Sequence, residues 1–127
     1  MRSRSRHTTS CCPPKPTLAK RELITTEQAG ELAGLFKVLA NETRARLLHA
    51  LVRAGELCVS ELAGAVAMKP QAVSNQLQRL AGRRIVATRR EGTTIYYRVV
   101  DPCMAEILDR ALCLLEDDRS GVHTRRA

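Results

Sequence analysis

Residues 71–79 hold side chains whose types and spacing suit one kind of chemistry, the reading of base edges. Gln71, Ser74, Asn75, Gln78 and Arg79 fall on one side of a helix when Ala72, Val73, Gln76, Leu77 and Leu80 fall on the other. A side-chain amide can bond adenine in bidentate fashion, and a guanidinium can do the same to guanine. No acid interrupts this polar face, and an acid there would repel phosphate. Such a face also describes an ordinary solvated surface, but the segment after it points to phosphate. Arg83, Arg84, Arg89, Arg90 and Arg98 surround that segment, where they suit backbone contacts that give affinity without sequence information. A second chemistry resides in five cysteines: Cys11, Cys12, Cys58, Cys103 and Cys113. In a reducing compartment such thiols point to metal or redox chemistry more than to a disulfide framework.

Several elements must position these groups. Pro70 suits the first position of the reading helix, because its φ is already helical and its missing N–H would be unpaired there. Ile85–Thr88 and Thr93–Val100 are rich in β-branched and aromatic residues and predict a hairpin. Glu91-Gly92 supplies the turn, with glycine free to take positive φ. Upstream, Thr25 and Gln28 form a capping box that starts a helix to about Ala40, with Leu32, Leu35, Phe36 and Leu39 on one face. Asn41 caps a second helix, with Ala45, Leu47, Leu48 and Leu51 inward, and Gly55 ends it. Cys58-Val59 reads as a very short extended segment. A third helix runs from about Ser60 to Ala67, with Leu62, Ala63 and Val66 inward. Pro102 opens a last helix to about Asp117, whose Met104, Ile107, Leu108, Ala111, Leu112 and Leu115 are apolar. That stripe is wide for a lone terminal helix. It predicts a dimer interface, symmetric dimers being the commonest oligomers; packing on the first helix is the alternative.

Composition bounds the remaining classes. The 127 residues suggest one domain, and the hydrophobic content of 44% supports a modest core. Phe36, Tyr96 and Tyr97 are the only aromatics, so the core must be aliphatic. The net charge of +8 argues for an anionic partner. Residues 1–24 carry six bases and one acid, residues 25–102 eleven and seven, residues 103–127 four and five. We read 1–24 as a flexible basic arm containing prolines, 25–118 as the DNA-binding and dimerisation domain, and 119–127 as a disordered tail. No apolar run approaches the roughly 20 residues of a membrane span, and no apolar segment follows the charged N-terminus as in a signal peptide. The expected location is the cytoplasm. No nucleophile–base pair, phosphate-binding glycine loop or paired carboxylates stand out, so an enzyme is not expected.

The order helix, helix, helix, reading helix, hairpin, helix resembles the ArsR/SmtB family of winged helix-turn-helix repressors. The resemblance is carried by Leu35–Arg44, Glu56–Leu62, Ala72–Leu77 and Arg90–Tyr97, four motifs in the right order, over about residues 28–118. It implies a mainly α fold with a β-hairpin wing. It further implies a homodimer that binds double-stranded operator DNA and releases it when an inducer, often a metal ion, binds. Lys69-Pro70 stands where family members often have a capping serine, and Asn75-Gln76 where many have a histidine pair. Both departures bear on operator preference and not on the fold.

The resemblance also frames the cysteines. Cadmium/lead sensors of the family resemble ELCVCDL at the third helix; here the stretch is Glu56-Leu57-Cys58-Val59-Ser60-Glu61-Leu62, with serine at the second ligand position. Some arsenic sensors combine an adjacent cysteine pair in the arm with a cysteine near the third helix, as Cys11, Cys12 and Cys58 would here. Three thiolates suit As(III) or Sb(III), the favoured inducers, and also accept Cd(II), Pb(II) or Hg(II). The plain alternative is that Cys58 is a small buried apolar residue. Whether the arm reaches Cys58 of its own or the other subunit is open. Zinc sensors of the family place Asp-x-His and His-x-x-Glu on the last helix. This chain has Asp101-Pro102-Cys103 and Cys113-Leu114-Leu115-Glu116, one residue short and without histidine. A thiol site from Cys103 and Cys113 of opposite subunits is the alternative metal site. A thiol-redox or persulfide-sensing repressor of the same fold is the alternative function.

Overall fold

The computed structural model describes residues 14–120, in five helices and three short strands. In chain order they are α1 (Thr26–Leu39), α2 (Glu42–Ala54), β1 (Leu57–Cys58), α3 (Val59–Val66) and α4 (Pro70–Gly82). The strands β2 (Val86–Glu91) and β3 (Thr94–Val99) and the helix α5 (Pro102–Ser120) follow. Local chemistry sets the boundaries. Thr25 and Gln28 form the expected reciprocal cap, with bonds of 3.1 and 2.9 Å. Asn41 Oδ1 accepts from the Arg44 N–H at 2.9 Å to start α2. Gly55, at φ 89, ends it. Pro70 holds the first turn of α4.

Leu47, Leu48 and Leu51 of α2 meet Leu62, Ala63 and Val66 of α3 and Val73, Leu77 and Leu80 of α4 in one aliphatic core. Each fully buried leucine or valine contributes about 1.5–3 kcal/mol of transfer free energy. Ile85, Val86, Tyr97 and Met104 complete the core. The α3–α4 pair is a helix-turn-helix. Its turn is closed by Ala67 in the left-handed region, at φ 57, and by the Met68 N–H on the Ala63 carbonyl at 3.0 Å.

β2 and β3 form an antiparallel hairpin, and β1 adds to its other side, giving the order β1-β3-β2. Glu91 pairs with Thr94, so the turn is Gly92-Thr93, with Gly92 at φ 66. The expected Glu91-Gly92 turn is therefore shifted by one residue, because Glu91 is held in β2 by its pairing with Thr94 and by an ion pair to Arg89 at 2.9 Å. α5 also runs further than expected, to Ser120.

α1 and the outer half of α5 are the exceptions to burial. No residue of α1 is buried; Leu35, Val38 and Leu39 reach the core only partly, while Phe36 is 50% exposed. On α5, Leu112, Leu114 and Leu115 are exposed. The end of α1, α2 and α5 enclose an open apolar groove of about 600 Å³, with Phe36, Leu39, Val52, Leu108, Leu112 and Leu115 among its walls. Among the described residues, no helix is long and apolar enough to cross a membrane.

Candidate nucleic-acid interface and thiol positions

α4 is anchored from below by Val73, Leu77 and Leu80, which turns its other side outward. Gln71, Asn75, Gln78 and Arg79 are exposed, and Ser74 is half-buried beside them. Gln71 Nε2 donates to Asn75 Oδ1 at 3.0 Å, so the two amides are paired one turn apart on the outer face. Gln76 lies inward, as expected, but for a polar reason. Its Oε1 accepts from Arg44 Nη1 at 2.7 Å, while Arg44 Nε donates to the Val38 carbonyl at 2.6 Å. Arg44 was not among the candidate site residues, although it stands in one of the quoted motifs; a contact across 32 positions leaves no local signal.

The wing places its arginines unequally. Arg90 and Arg98 are exposed. Arg83 lies against α1, where a Cβ on Gly34 would stand 3.2 Å from its guanidinium. Arg89 departs most from the expectation of an open phosphate contact. Its Nη2 and Nε donate to the two carboxylate oxygens of Glu56 at 2.8 and 3.0 Å. Its Nη1 donates to Glu91 at 2.9 Å, and its guanidinium carbon lies 4.8 Å from the Tyr96 ring centre. The hydrogen bonds that Arg89 donates hold the Glu56 carboxyl below its ordinary range, and acceptance by Glu56 and Glu91 raises the Arg89 guanidinium. Glu56 escaped the sequence reading because its role depends on the wing folding back beside β1.

The cysteines are dispersed. Cys58 caps α3 at its N-terminus. It is half-buried, with its Sγ 3.3 Å from Ser60 Oγ and its N–H on Glu61 Oε1 at 3.0 Å. Cys11 and Cys12 lie outside the described residues. Cys103 is half-buried in the first turn of α5, and Cys113 is exposed further along, its thiol 3.8 Å from Asp117 Oδ2. Ten helical residues separate them by about 15 Å along the axis, so one ion cannot bridge both within a single chain. Among the described residues, no three His, Cys, Asp or Glu side chains gather as a metal site. A multi-thiolate centre therefore needs the arm or a second subunit.

Comparison with known proteins places this architecture. Residues 41–88 match the family described as bacterial regulatory protein, arsR family. The chain is 42% identical over 80 residues to a transcriptional repressor SmtB homolog of Synechocystis sp.; that stretch covers 63% of this chain and 60% of the relative. It is 60% identical to the protein in a crystal structure of the AntR antimony-specific transcriptional repressor, at a TM-score of 0.74, covering 87% of this chain and 99% of that one. A solution structure of a homodimeric winged helix-turn-helix DNA-binding domain, Mb0332 of Mycobacterium bovis, aligns at a TM-score of 0.69 and 28% identity, covering 82% and 95%. The fold is the winged helix-turn-helix, and the matched family is one of regulatory proteins and not of enzymes. The chain belongs to the arsR family of bacterial regulatory proteins.

Proposed function

We propose that this protein is a homodimeric, metal(loid)-responsive repressor. It binds operator DNA in the cytoplasm and releases it when a soft thiophilic ion binds cysteine thiolates. The observation that carries the DNA reading is the outer face of α4. Gln71, Asn75, Gln78 and Arg79 are exposed together, without an acid, on a helix held rigidly by three buried apolar residues. Two such helices about one helical turn apart would enter successive major grooves. Arg79, Arg90 and Arg98 would supply salt-dependent phosphate affinity.

The groove between α1, α2 and α5 supports a dimer. Its apolar wall includes the exposed Phe36, Val52, Leu112 and Leu115, and the homodimeric state of the related Mb0332 domain favours a second copy as its cover. Among soft ions, trivalent antimony leads, because the relative at 60% identity is an antimony-specific repressor; As(III), Cd(II), Pb(II) and Hg(II) are ranked behind it. Thiolates select such ions.

Two thiol sets compete. Cys58 with Cys11 and Cys12 would tie the arm to α3, the first helix of the DNA-reading pair. Cys103 and Cys113 stand five residues on either side of Leu108. An antiparallel pairing of α5 about Leu108 would bring Cys103 level with Cys113 of the partner subunit along the axis, but both cysteines lie about 140° around the helix from Leu108 and face away from that seam. The first set is favoured, because Cys58 stands at the N-terminus of α3 within the DNA-reading pair; Cys103 and Cys113 of opposite subunits are the alternative.

Fluorescence anisotropy of a labelled operator tests the function. Binding should exceed that to random DNA of equal length, and Sb(III) should reverse it. Equal affinity for both DNAs would sink the reading.

A further inference from the structure

Arg89 stands on the wing, and its guanidinium donates across the sheet to Glu56 as well as to Glu91 beside the turn. In the ladder, Cys58 of β1 lies opposite Tyr96 of β3, and Tyr96 lies opposite Arg89 of β2. Directly opposed residues share one face of a sheet. Arg89 crosses that face from the outermost strand, passes over the Tyr96 ring at 4.8 Å, and reaches Glu56, which precedes β1. It therefore spans the full width of the three-stranded sheet.

We propose that Arg89 is a positioning residue, not a phosphate contact: with Glu56 and Tyr96 it braces the wing on the β1 segment that carries Cys58. The geometry makes this the better use of the side chain. A guanidinium offers five N–H donors in a fixed fork, and its bidentate match to a carboxylate is its strongest pairing. Reaching a phosphate would require Arg89 to leave two carboxylates and a ring together. The brace also answers a need of the fold, since an isolated two-stranded hairpin is marginal in water and β1 is only two residues long. Any displacement of β1 is passed to the wing through this tie.

The proposal rests on the DNA-binding reading, and two measurements separate their failures. In the free protein, amide hydrogen exchange across Thr94–Val99 should quicken about two- to fivefold in Glu56→Gln, the loss expected of an exposed ion pair. With DNA, Arg89→Gln should weaken operator binding while leaving the slope of log affinity on log salt unchanged. A lost phosphate contact would flatten that slope by about one unit. Glu56→Gln removes a negative charge and would tighten DNA binding by electrostatics alone; the brace predicts weakening, with Arg89→Lys intermediate. Unchanged exchange, a flattened slope in Arg89→Gln or tighter binding by Glu56→Gln would each overturn the proposal. If wild type fails to prefer operator DNA, the functional reading fails, and the exchange experiment still decides the brace.

Discussion

Arg44 Nη1 donates to Gln76 Oε1 at 2.7 Å, joining the start of α2 to the inner side of the reading helix. The same guanidinium donates from Nε to the Val38 carbonyl at 2.6 Å in the last turn of α1. One cation thus ties three helices at a point where α1 buries no residue of its own. Arg44→Ala should cost about 1.5–3 kcal/mol, the range for hydrogen bonds to a charged group. Gln76→Ala should cost less, because the Val38 bond survives. Urea unfolding of both variants and the double variant gives the coupling; additive losses would mean that the contact carries no energy of its own.

The outer face of α4 and the wing tip should differ in what they do. Asn75→Ala and Gln78→Ala should narrow the gap between operator and random DNA, each by about 1–3 kcal/mol. Arg90→Ala should weaken both DNAs alike and flatten the salt slope by about one unit. An operator preference untouched in the two amide variants would exclude α4 as the reading helix.

Leu112 is 49% exposed beside the apolar groove, so an acid there is tolerated by a lone subunit and not by a covered interface. Leu112→Glu should sediment as a monomer at micromolar concentration with an unchanged circular dichroism spectrum, and should lose operator affinity. A wild-type protein that is already monomeric would remove the dimer from the mechanism.

The two thiol sets make opposite predictions. If α5 senses the ion, Cys103→Ser and Cys113→Ser should bind operator normally and ignore Sb(III), while Cys58→Ser still responds, since a serine hydroxyl is a poor ligand for soft ions. If the arm and α3 sense it, Cys58→Ser and the Cys11/Cys12 double variant fail instead. Anisotropy titrations of all variants decide between them. Mass spectrometry after mild oxidant, set beside the ion titration, distinguishes a disulfide- or persulfide-based response.

The Arg89 hydrogen bonds lower the native Glu56 value below 4.5. A depressed carboxyl stabilises the folded state above its unfolded value, and that stabilisation fades as pH falls through the native one. The wing brace should therefore persist through neutral pH and loosen only on acidification below about 4.5. Carbon NMR of the Glu56 carboxyl should show a midpoint that rises toward 4.5 in Arg89→Gln, and a shift that shrinks at high salt, as expected of an exposed pair. An identical midpoint in both proteins would contradict the bond.

Much of this protein is decided by local chemistry, and that part was readable from residue order. Thr25 with Gln28, Asn41, Gly55 and Pro70 act on their own backbone within a few positions, so the helix limits they set follow from spacing alone, unlike the end of α5 at Ser120. The buried stripe of Leu47, Leu48 and Leu51 and that of Leu62, Ala63 and Val66 follow from helical periodicity, as does the outward set on α4. The order of these elements, with the four motifs that resemble the ArsR/SmtB family, was enough to indicate the winged helix-turn-helix. What tertiary structure decided are the pairings of groups far apart in sequence. Arg44 with Gln76, Arg83 with Gly34 and Arg89 with Glu56 have no periodic signature, because each depends on two elements arriving side by side. Arg89 and Arg90 are adjacent and chemically identical in the sequence, yet the ladder register sends one across the sheet to a carboxylate and leaves the other exposed. The same holds for the thiols: five cysteines announce soft-ion or redox chemistry from composition, but which of them can meet is a property of the folded chain and its partner.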